Sequence, residues 1–235
     1  MINKKKKIIV IGGGLAGLSS VMTACENGID VDLVSIVPAK RSHSVCAQGG
    51  INGAVNTKGE GDSIDKHFED TIYGGDFLAN QTLVKEMCYN APNIIYLMDR
   101  LGVPFNRTNE GLIDFRRFGG TLYNRTAFAG ATTGQQLIYA LDEQVRKFES
   151  ENKVKRYENF EFIKAIIDDN GEARGAIIQD LSSMEIIVLK ADAIIVATGG
   201  CGAIYGKSTN SYTTNGSASS ILYKQGAKYA NGEFI

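Results

Sequence analysis

The stretch "KIIVIGGGLAGLSSVMTACENGIDVDLVS", residues 7–35, decides the fold. Residues 6–11 read as a short buried strand that runs into three glycines. Leu15, Leu18, Met22 and Cys25 recur at helical spacing, and Gly28 closes that helix. Residues 30–37, "DVDLVSIV", read as a second strand. Strand, helix and strand within about 30 residues make a βαβ unit, whose crossover joins parallel strands. At the first strand-to-helix turn, Gly12-Gly13-Gly14-Leu15-Ala16-Gly17 satisfies G-x-G-x-x-G in the context that dinucleotide binding requires. Gly12 permits the tight turn, Gly14 lets the backbone approach a pyrophosphate, and Gly17 lets helix and strand pack closely. The phosphates then meet free N–H groups and the positive end of the helix dipole.

The acidic residue expected at the end of the second strand is missing. Ser35 stands there, a neutral and weaker partner for a ribose hydroxyl. Asp30 and Asp32 alternate with Val31 and Leu33 and read as the polar face of the strand. Downstream, residues 64–72 form a short helix. Residues 81–102 are helical with Pro92 near the middle, which leaves a kink or two helices open. Residues 111–132 are strand and loop, and residues 132–150 an amphipathic helix with a Thr cap. Residues 154–168 and 173–190 read as alternating strands joined by an Asn170-Gly171 hairpin turn. "ADAIIVATGG", residues 191–200, is a further buried strand ending in glycines, including Thr198 and Gly199. Residues 215–230 are a helix, and "NGEFI", residues 231–235, looks like the start of a strand. A βαβ unit, a β excursion and a second Gly-rich strand end follow the two-dinucleotide plan and argue for extended FAD. The expected fold class is therefore α/β: a Rossmann-like FAD domain with a β-rich excursion, incomplete at its C-terminus.

Composition narrows the function. The chain has 235 residues, 43% hydrophobic and 22% charged, with a net charge of −1. This balance gives no support to a nucleic-acid surface. The four cysteines share no CxxC spacing, so neither a zinc site nor a thiol redox motif is indicated, and they read as reduced thiols in the cytoplasm. The basic start and Cys25 imitate a lipoprotein signal, but three consecutive glycines weaken the helix such a signal needs. No uninterrupted apolar run reaches the roughly 18 residues of a membrane span.

Between these elements lies "KRSHSVCAQGGINGAV", residues 40–55, which places one of only two histidines in a loop of small residues. Together with "GGGLAG", "HFEDTIYGGDFLANQ", "DFRRFGGT", "AGATTGQQL" and "ATGG", it resembles the flavoprotein subunit of succinate dehydrogenase and fumarate reductase, from residue 7 to residue 235. The resemblance implies that His43 carries FAD covalently, through an imidazole nitrogen bonded to the 8α-methyl carbon of the isoalloxazine. A neutral imidazole is a competent nucleophile near pH 7. Substitution at that carbon withdraws electron density and raises the flavin potential, which suits a reductant as poor as succinate. The cofactor residues implied are His43, Gly12, Gly13, Gly14, Leu15, Ala16, Gly17, Ser35, Lys40, Arg41, Ser42, Ser44, Ala47, Gln48, Gly49, Gly50, Thr198, Gly199 and Ser217. Lys40 and Arg41 are candidates to stabilise electrons pushed onto N1 and the C2 carbonyl. Small neighbours of His43 let backbone N–H groups line the flavin edge. Many family members carry Asp where this chain has Ser217.

Phe118 matches a phenylalanine lining the family's dicarboxylate site, with core packing as the alternative. Arg116 and Arg117 read either as carboxylate ligands or as a solvated strand face. His67, in a polar helix, reads as a surface or packing residue. The family's catalytic histidines, Thr-Glu pair and arginines sit in "HPT", "GEGG" and "PRD" blocks, none of which occurs here. The expectation is therefore residues 1–235 as the N-terminal portion of an FAD-binding domain, without the capping and C-terminal domains. By resemblance the subunit oxidises succinate to fumarate by hydride transfer to FAD. It docks on an iron–sulfur subunit and a membrane cytochrome b anchor, at the cytoplasmic side of the cell membrane. Fumarate reduction is the same chemistry reversed. A non-catalytic FAD-binding module is the alternative from another class, and L-aspartate oxidase, which lacks the tethering His, is a related option. An unpaired edge at 230–235 predicts poor solubility of the isolated chain.

Overall fold

The computed structural model describes residues 6–233, in two compact units: Met1–Ser44 with Leu141–Ile235, and Val45–Ala140. In the first unit, the β-branched run of β1 (Lys7–Ile11) buries Ile9 and Val10 completely. Helix α1 (Leu15–Glu26) buries Leu18, Val21, Met22 and Cys25, the face the sequence spacing predicts. It ends in a Schellman motif: the Ile29 N–H donates to the Ala24 carbonyl at 3.0 Å and the Gly28 N–H to that of Cys25 at 3.1 Å. Gly28 there takes a φ of +77°. Strand β2 (Asp30–Ser35) runs parallel to β1, with Ile9 opposite Asp32, and stops two residues short of the expected 37.

Asp32 corrects the expectation of a polar strand face. It is fully buried, with its carboxylate 2.8 Å from Nζ of Lys7 on β1. The cause is topological: a central parallel strand is covered on both faces, so alternation along it marks no solvent side.

In the second unit, β3 (Ile51–Asn52) leads to α2 (Ile64–Gly74) and α3 (Gln81–Arg100). The Ser63 hydroxyl accepts from the Lys66 N–H at 3.2 Å and the Asn80 side chain from the Thr82 N–H at 3.1 Å, so both helices begin on capping side chains. Pro92 lies inside one continuous α3, forgoing only the helical bond to the Cys88 carbonyl. The short β4 (Phe115–Arg116) and β5 (Thr126–Ala127) complete an antiparallel sheet in the order β3-β5-β4.

Helix α4 (Thr133–Ser150) starts in the second unit and ends in the first. The Thr132 carbonyl accepts from the Gln136 N–H at 3.0 Å, while its hydroxyl turns back to the Ala129 carbonyl at 3.2 Å rather than capping the helix.

Strand β6 (Val154–Glu158) pairs with β2, and β10 (Ala193–Val196) with β1, giving a parallel sheet in the order β10-β1-β2-β6. The two long stretches expected as strands each divide. Asn159, at φ +64°, separates β6 from β7 (Phe160–Ile167), which belongs to a different, antiparallel sheet. Residues 181–185 separate β8 (Ala173–Asp180) from β9 (Ile186–Lys190). The β7–β8 hairpin turns at Gly171, φ +80°, where its N–H donates to the Asp168 carbonyl at 2.9 Å.

Ile9, Ile11 and Val34 of the parallel sheet share a core with Phe162, Ala165, Ala176, Ile178 and Leu189 of the antiparallel one, joined by Ala218 of α5 (Ser217–Lys224). Helix α5 is shorter than the expected 215–230. Gly226 at φ +98° ends it in a second Schellman motif, with the Ala227 N–H donating to the Leu222 carbonyl at 3.0 Å.

Strand β10 was expected to be buried, yet Ile195 is 37% and Val196 40% exposed. It is an edge strand and lacks a hydrogen-bonded neighbour on its outer side among the described residues. The strand expected at 231–235 falls partly on residues 234–235, outside those described. Among the described residues, no helix is long and apolar enough to cross a membrane.

Candidate functional site

Strands β1 and β2 both end at a cavity of about 370 Å³ in the first unit. The glycine turn forms its floor. Gly12 has φ +117°, and a Cβ there would stand 2.2 Å from the Ala197 carbonyl oxygen. A Cβ on Gly17 would stand 1.8 Å from the Gly12 carbonyl oxygen, so α1 packs on the turn by backbone contact alone. A Cβ on Gly13 would stand 2.9 Å from Ser35 Oγ, and one on Gly14 3.2 Å from Ser44 Oγ. The Gly12 and Gly17 contacts fit the tight turn and the close helix packing read from the motif. The first turn of α1 contains no acidic residue, so nothing offsets the positive end of the helix dipole. Ser44 Oγ accepts from the Leu15 N–H at 3.3 Å.

His43 opens a 3₁₀ turn, His43–Cys46, half-buried at the cavity wall. Its Nδ1 accepts from the Ser211 backbone N–H at 3.2 Å. Gly12, Gly13, Gly14, Leu15, Ala16, Ser35, Ser42, His43, Ser44, Thr198, Gly199 and Ser217 all line the cavity. Gly17 stands behind it as a packing residue. Lys40 and Arg41 do not line it. Lys40 Nζ lies 3.6 Å from the carboxylate of Asp142 on α4, and Arg41 is exposed.

Asp142 is itself buried between cations. Burial pushes its carboxyl up, but hydrogen bonds from Arg156 (2.7 Å) and Arg146 (3.0 Å), with their charges, outweigh this and hold it below the ordinary carboxylate value.

Ala47, Gln48, Gly49 and Gly50 belong to the second unit and are held there by its own groups. Arg116 donates to the Gly49 carbonyl at 2.6 Å and to that of Gln48 at 3.1 Å, with its guanidinium 4.3 Å from the Phe128 ring. Arg116 is thus a loop clamp, neither a free carboxylate ligand nor a solvated residue; Arg117 is exposed. The Ala47 carbonyl accepts from the Gly134 N–H at 2.8 Å. Gly50, φ +121°, leaves 2.4 Å between a hypothetical Cβ and the Ala127 carbonyl oxygen. Phe118 is 53% exposed and lies on Gly49, where a Cβ would stand 2.3 Å from its ring, so it is not a core residue.

His67 packs inside this unit. Desolvation first, and the Arg125 charge second, lower its pKa from the ordinary 6.5, against the opposing pull of Asp62 and Asp70.

Several lining residues escaped sequence reading: Ile36, Val37, Phe160, Glu161, Phe162, Thr213, Thr214 and Asn215. Among the described residues, Glu161 is the only carboxylate that lines the cavity, and no Lys or Arg lines it. An anion there meets backbone N–H groups and a helix dipole rather than cationic side chains. Glycine-cleared walls and a helix N-terminus with no acidic residue in its first turn fit a dinucleotide diphosphate. Among the described residues, no cluster of metal-ligating side chains occurs.

Residues 7–235 match the family described as "FAD binding domain". The chain is 65% identical over 231 residues to the succinate dehydrogenase flavoprotein subunit of Bacillus subtilis, covering 98% of this chain and 39% of that protein. It is 34% identical over 230 residues to a fumarate reductase flavoprotein subunit of Mycobacterium tuberculosis, covering 97% and 38%. Among solved structures, the Sdh1 complex of Mycobacterium smegmatis superposes with a TM-score of 0.90 at 29% identity, covering 95% of this chain and 39% of that one. A variant of Escherichia coli quinol fumarate reductase superposes with a TM-score of 0.86 at 29% identity, covering 94% and 37%. The chain thus spans about two fifths of the length of these relatives.

Proposed function

This chain belongs to the FAD binding domain family, and from that premise we propose that it is the FAD-holding part of a succinate dehydrogenase flavoprotein subunit, with the cofactor tethered through His43. Bound FAD supplies a two-electron acceptor for the hydride that succinate loses as it becomes fumarate. The chain's own residues bind and orient it. The N–H groups at the start of α1 receive the diphosphate, with Gly12, Gly13, Gly14 and Gly17 clearing the approach. Ser35 accepts from a ribose hydroxyl. Ser42, Ser44, Thr198, Gly199 and Ser217 complete the wall, and Ala47, Gln48, Gly49 and Gly50 supply backbone to the flavin edge. Phe118 lines the dicarboxylate site. Electrons leave to an iron–sulfur subunit and a membrane cytochrome b anchor, which hold the subunit at the cytoplasmic side of the membrane. The cationic role for Lys40 and Arg41 loses support, since Lys40 is engaged by Asp142 and neither lines the cavity.

One observation carries this reading: the imidazole of His43 stands in the wall of the same cavity that opens at the N-terminus of α1. Succinate added without oxygen to the purified holoprotein should bleach the visible flavin band, and fumarate added to the reduced protein should restore it. A band untouched by succinate, in protein with full flavin content, overturns the assignment. The same pair of additions reads the preferred direction, which matters because fumarate reductase subunits also resemble this chain.

A further inference from the structure

We propose that Glu161 binds the adenosine ribose of the cofactor, its carboxylate accepting from the ribose hydroxyls in place of the acidic residue that the second strand lacks. The inference rests on the FAD reading above and deepens it, because that reading leaves the ribose to Ser35, a neutral acceptor, alone.

In a βαβ dinucleotide fold the ribose is met at the end of the second strand, where a carboxylate accepts from its hydroxyl. Here that end carries Ser35, which is buried. The neighbouring strand reaches the same end of the sheet, with Glu158 of β6 opposite Ser35 of β2. Asn159, at φ +64°, then turns the chain into β7. Ser35, Ile36 and Val37 from the end of β2 and Phe160, Glu161 and Phe162 from the start of β7 line one cavity. The sheet thus delivers a carboxylate to the place that its sequence position denied.

Strand alternation aims the side chain. Phe162 is buried in the core that the two sheets share, and Phe160 packs against that core. Glu161, between them, faces the other way. Its backbone is fixed by pairing opposite Gln179 of β8. Among the described residues, no hydrogen bond or ion pair engages its carboxylate.

Charge decides what the carboxylate receives. An ionised carboxylate only accepts hydrogen bonds. The diphosphate also only accepts, and it repels a second anion. Among the described residues, no Lys or Arg lines the cavity, so no wall cation neutralises Glu161. A cofactor that covers this half-buried group strips water from it, a cost that stands unless donors replace the water. The ribose supplies two adjacent hydroxyls, which match the two oxygens of one carboxylate.

The test uses full-length protein carrying His43→Ser, in which flavin binding is reversible. Fluorescence titration gives Kd for FAD, for its 2′,3′-dideoxyadenosine analogue and for its inosine analogue. Glu161→Ala should weaken FAD at least tenfold, as expected for hydrogen bonds to a charged acceptor. The same substitution should weaken the inosine analogue equally and the dideoxy analogue less than about twofold, since the partner hydroxyls are gone. Glu161→Gln keeps the shape and one neutral acceptor, and should give an intermediate loss for FAD without a change in thermal midpoint. Unchanged FAD binding in Glu161→Ala overturns the proposal, and so does an equal loss for FAD and the dideoxy analogue. A loss that vanishes with the inosine analogue also overturns it, because the partner is then the purine amino group. A parent protein that binds none of the three cofactors refutes the FAD reading instead, so the two failures are distinct.

Discussion

Replacing Gly17 by Ala tests the site's geometry at one atom. A Cβ at this position stands 1.8 Å from the carbonyl oxygen of Gly12. Ordinary carbon–oxygen contact is roughly 3.3 Å, so α1 must retreat from the turn by on the order of 1.5 Å. The obstacle is backbone and cannot rotate away. Overpacking of this kind costs about 1–3 kcal/mol, of which Ala's better helix propensity offsets up to about 1 kcal/mol. The larger effect is functional on the proposed reading, in which the N–H groups at the start of α1 receive the diphosphate and a displacement of this size stretches every such hydrogen bond past its working range. Gly28→Ala is the matched control: its φ of +77° strains an Ala, but no atom lies within 4 Å of the added carbon, and it is at the far end of α1. Flavin content per protein and thermal midpoints are measured for both. We expect Gly28→Ala to lower the midpoint with full flavin content, and Gly17→Ala to lower both the midpoint and the flavin content by at least half. Full flavin content in Gly17→Ala refutes the reasoning.

Other consequences follow from the same geometry. Arg125 is buried with Asp62 at 2.7 Å and Asp70 at 2.8 Å, so Arg125→Met strands two carboxylates and should cost about 3–5 kcal/mol in chemical denaturation; a loss below about 1 kcal/mol would be inconsistent with that burial. His67 is held neutral below its ordinary 6.5 by desolvation and by Arg125, so the unfolded chain binds its proton first. Stability should therefore be fully present above pH 6.5 and fall as the pH drops through it, a slope that His67→Leu should flatten. An unchanged slope between pH 6.5 and 5 in that variant would assign the dependence elsewhere. Gly50→Ala, at φ +121° and 2.4 Å from the Ala127 carbonyl oxygen, should disrupt β3–β5 pairing, whereas Gly49→Ala meets only the exposed Phe118 ring and should be tolerated. Equal midpoints for the two would contradict this.

The strand, glycine turn and helix were legible because their determinants are local. Gly12, Gly14 and Gly17 sit within six residues, and strand, turn and helix follow in order. Contacts made across the fold were not legible. Lys40 reads as a cation beside His43, but its partner Asp142 lies a hundred residues away on α4. Asp32 reads as solvated because alternation cannot reveal that a strand will be covered on both faces. Residues 154–168 read as one strand because no apolar break marks Asn159, whose left-handed φ sends the chain into a second sheet. Pro92 leaves α3 intact because surrounding residues supply the remaining helical bonds, an outcome propensity alone does not decide.

The central claim is a covalent bond at one histidine. The holoprotein is denatured in acid and digested, and the peptide containing His43 is weighed. The account predicts a peptide heavier by one FAD less two hydrogens, yellow and fluorescent, and its complete absence in His43→Ser protein that still binds FAD. Recovery of the His43 peptide unmodified, with all flavin released into the acid supernatant, contradicts it.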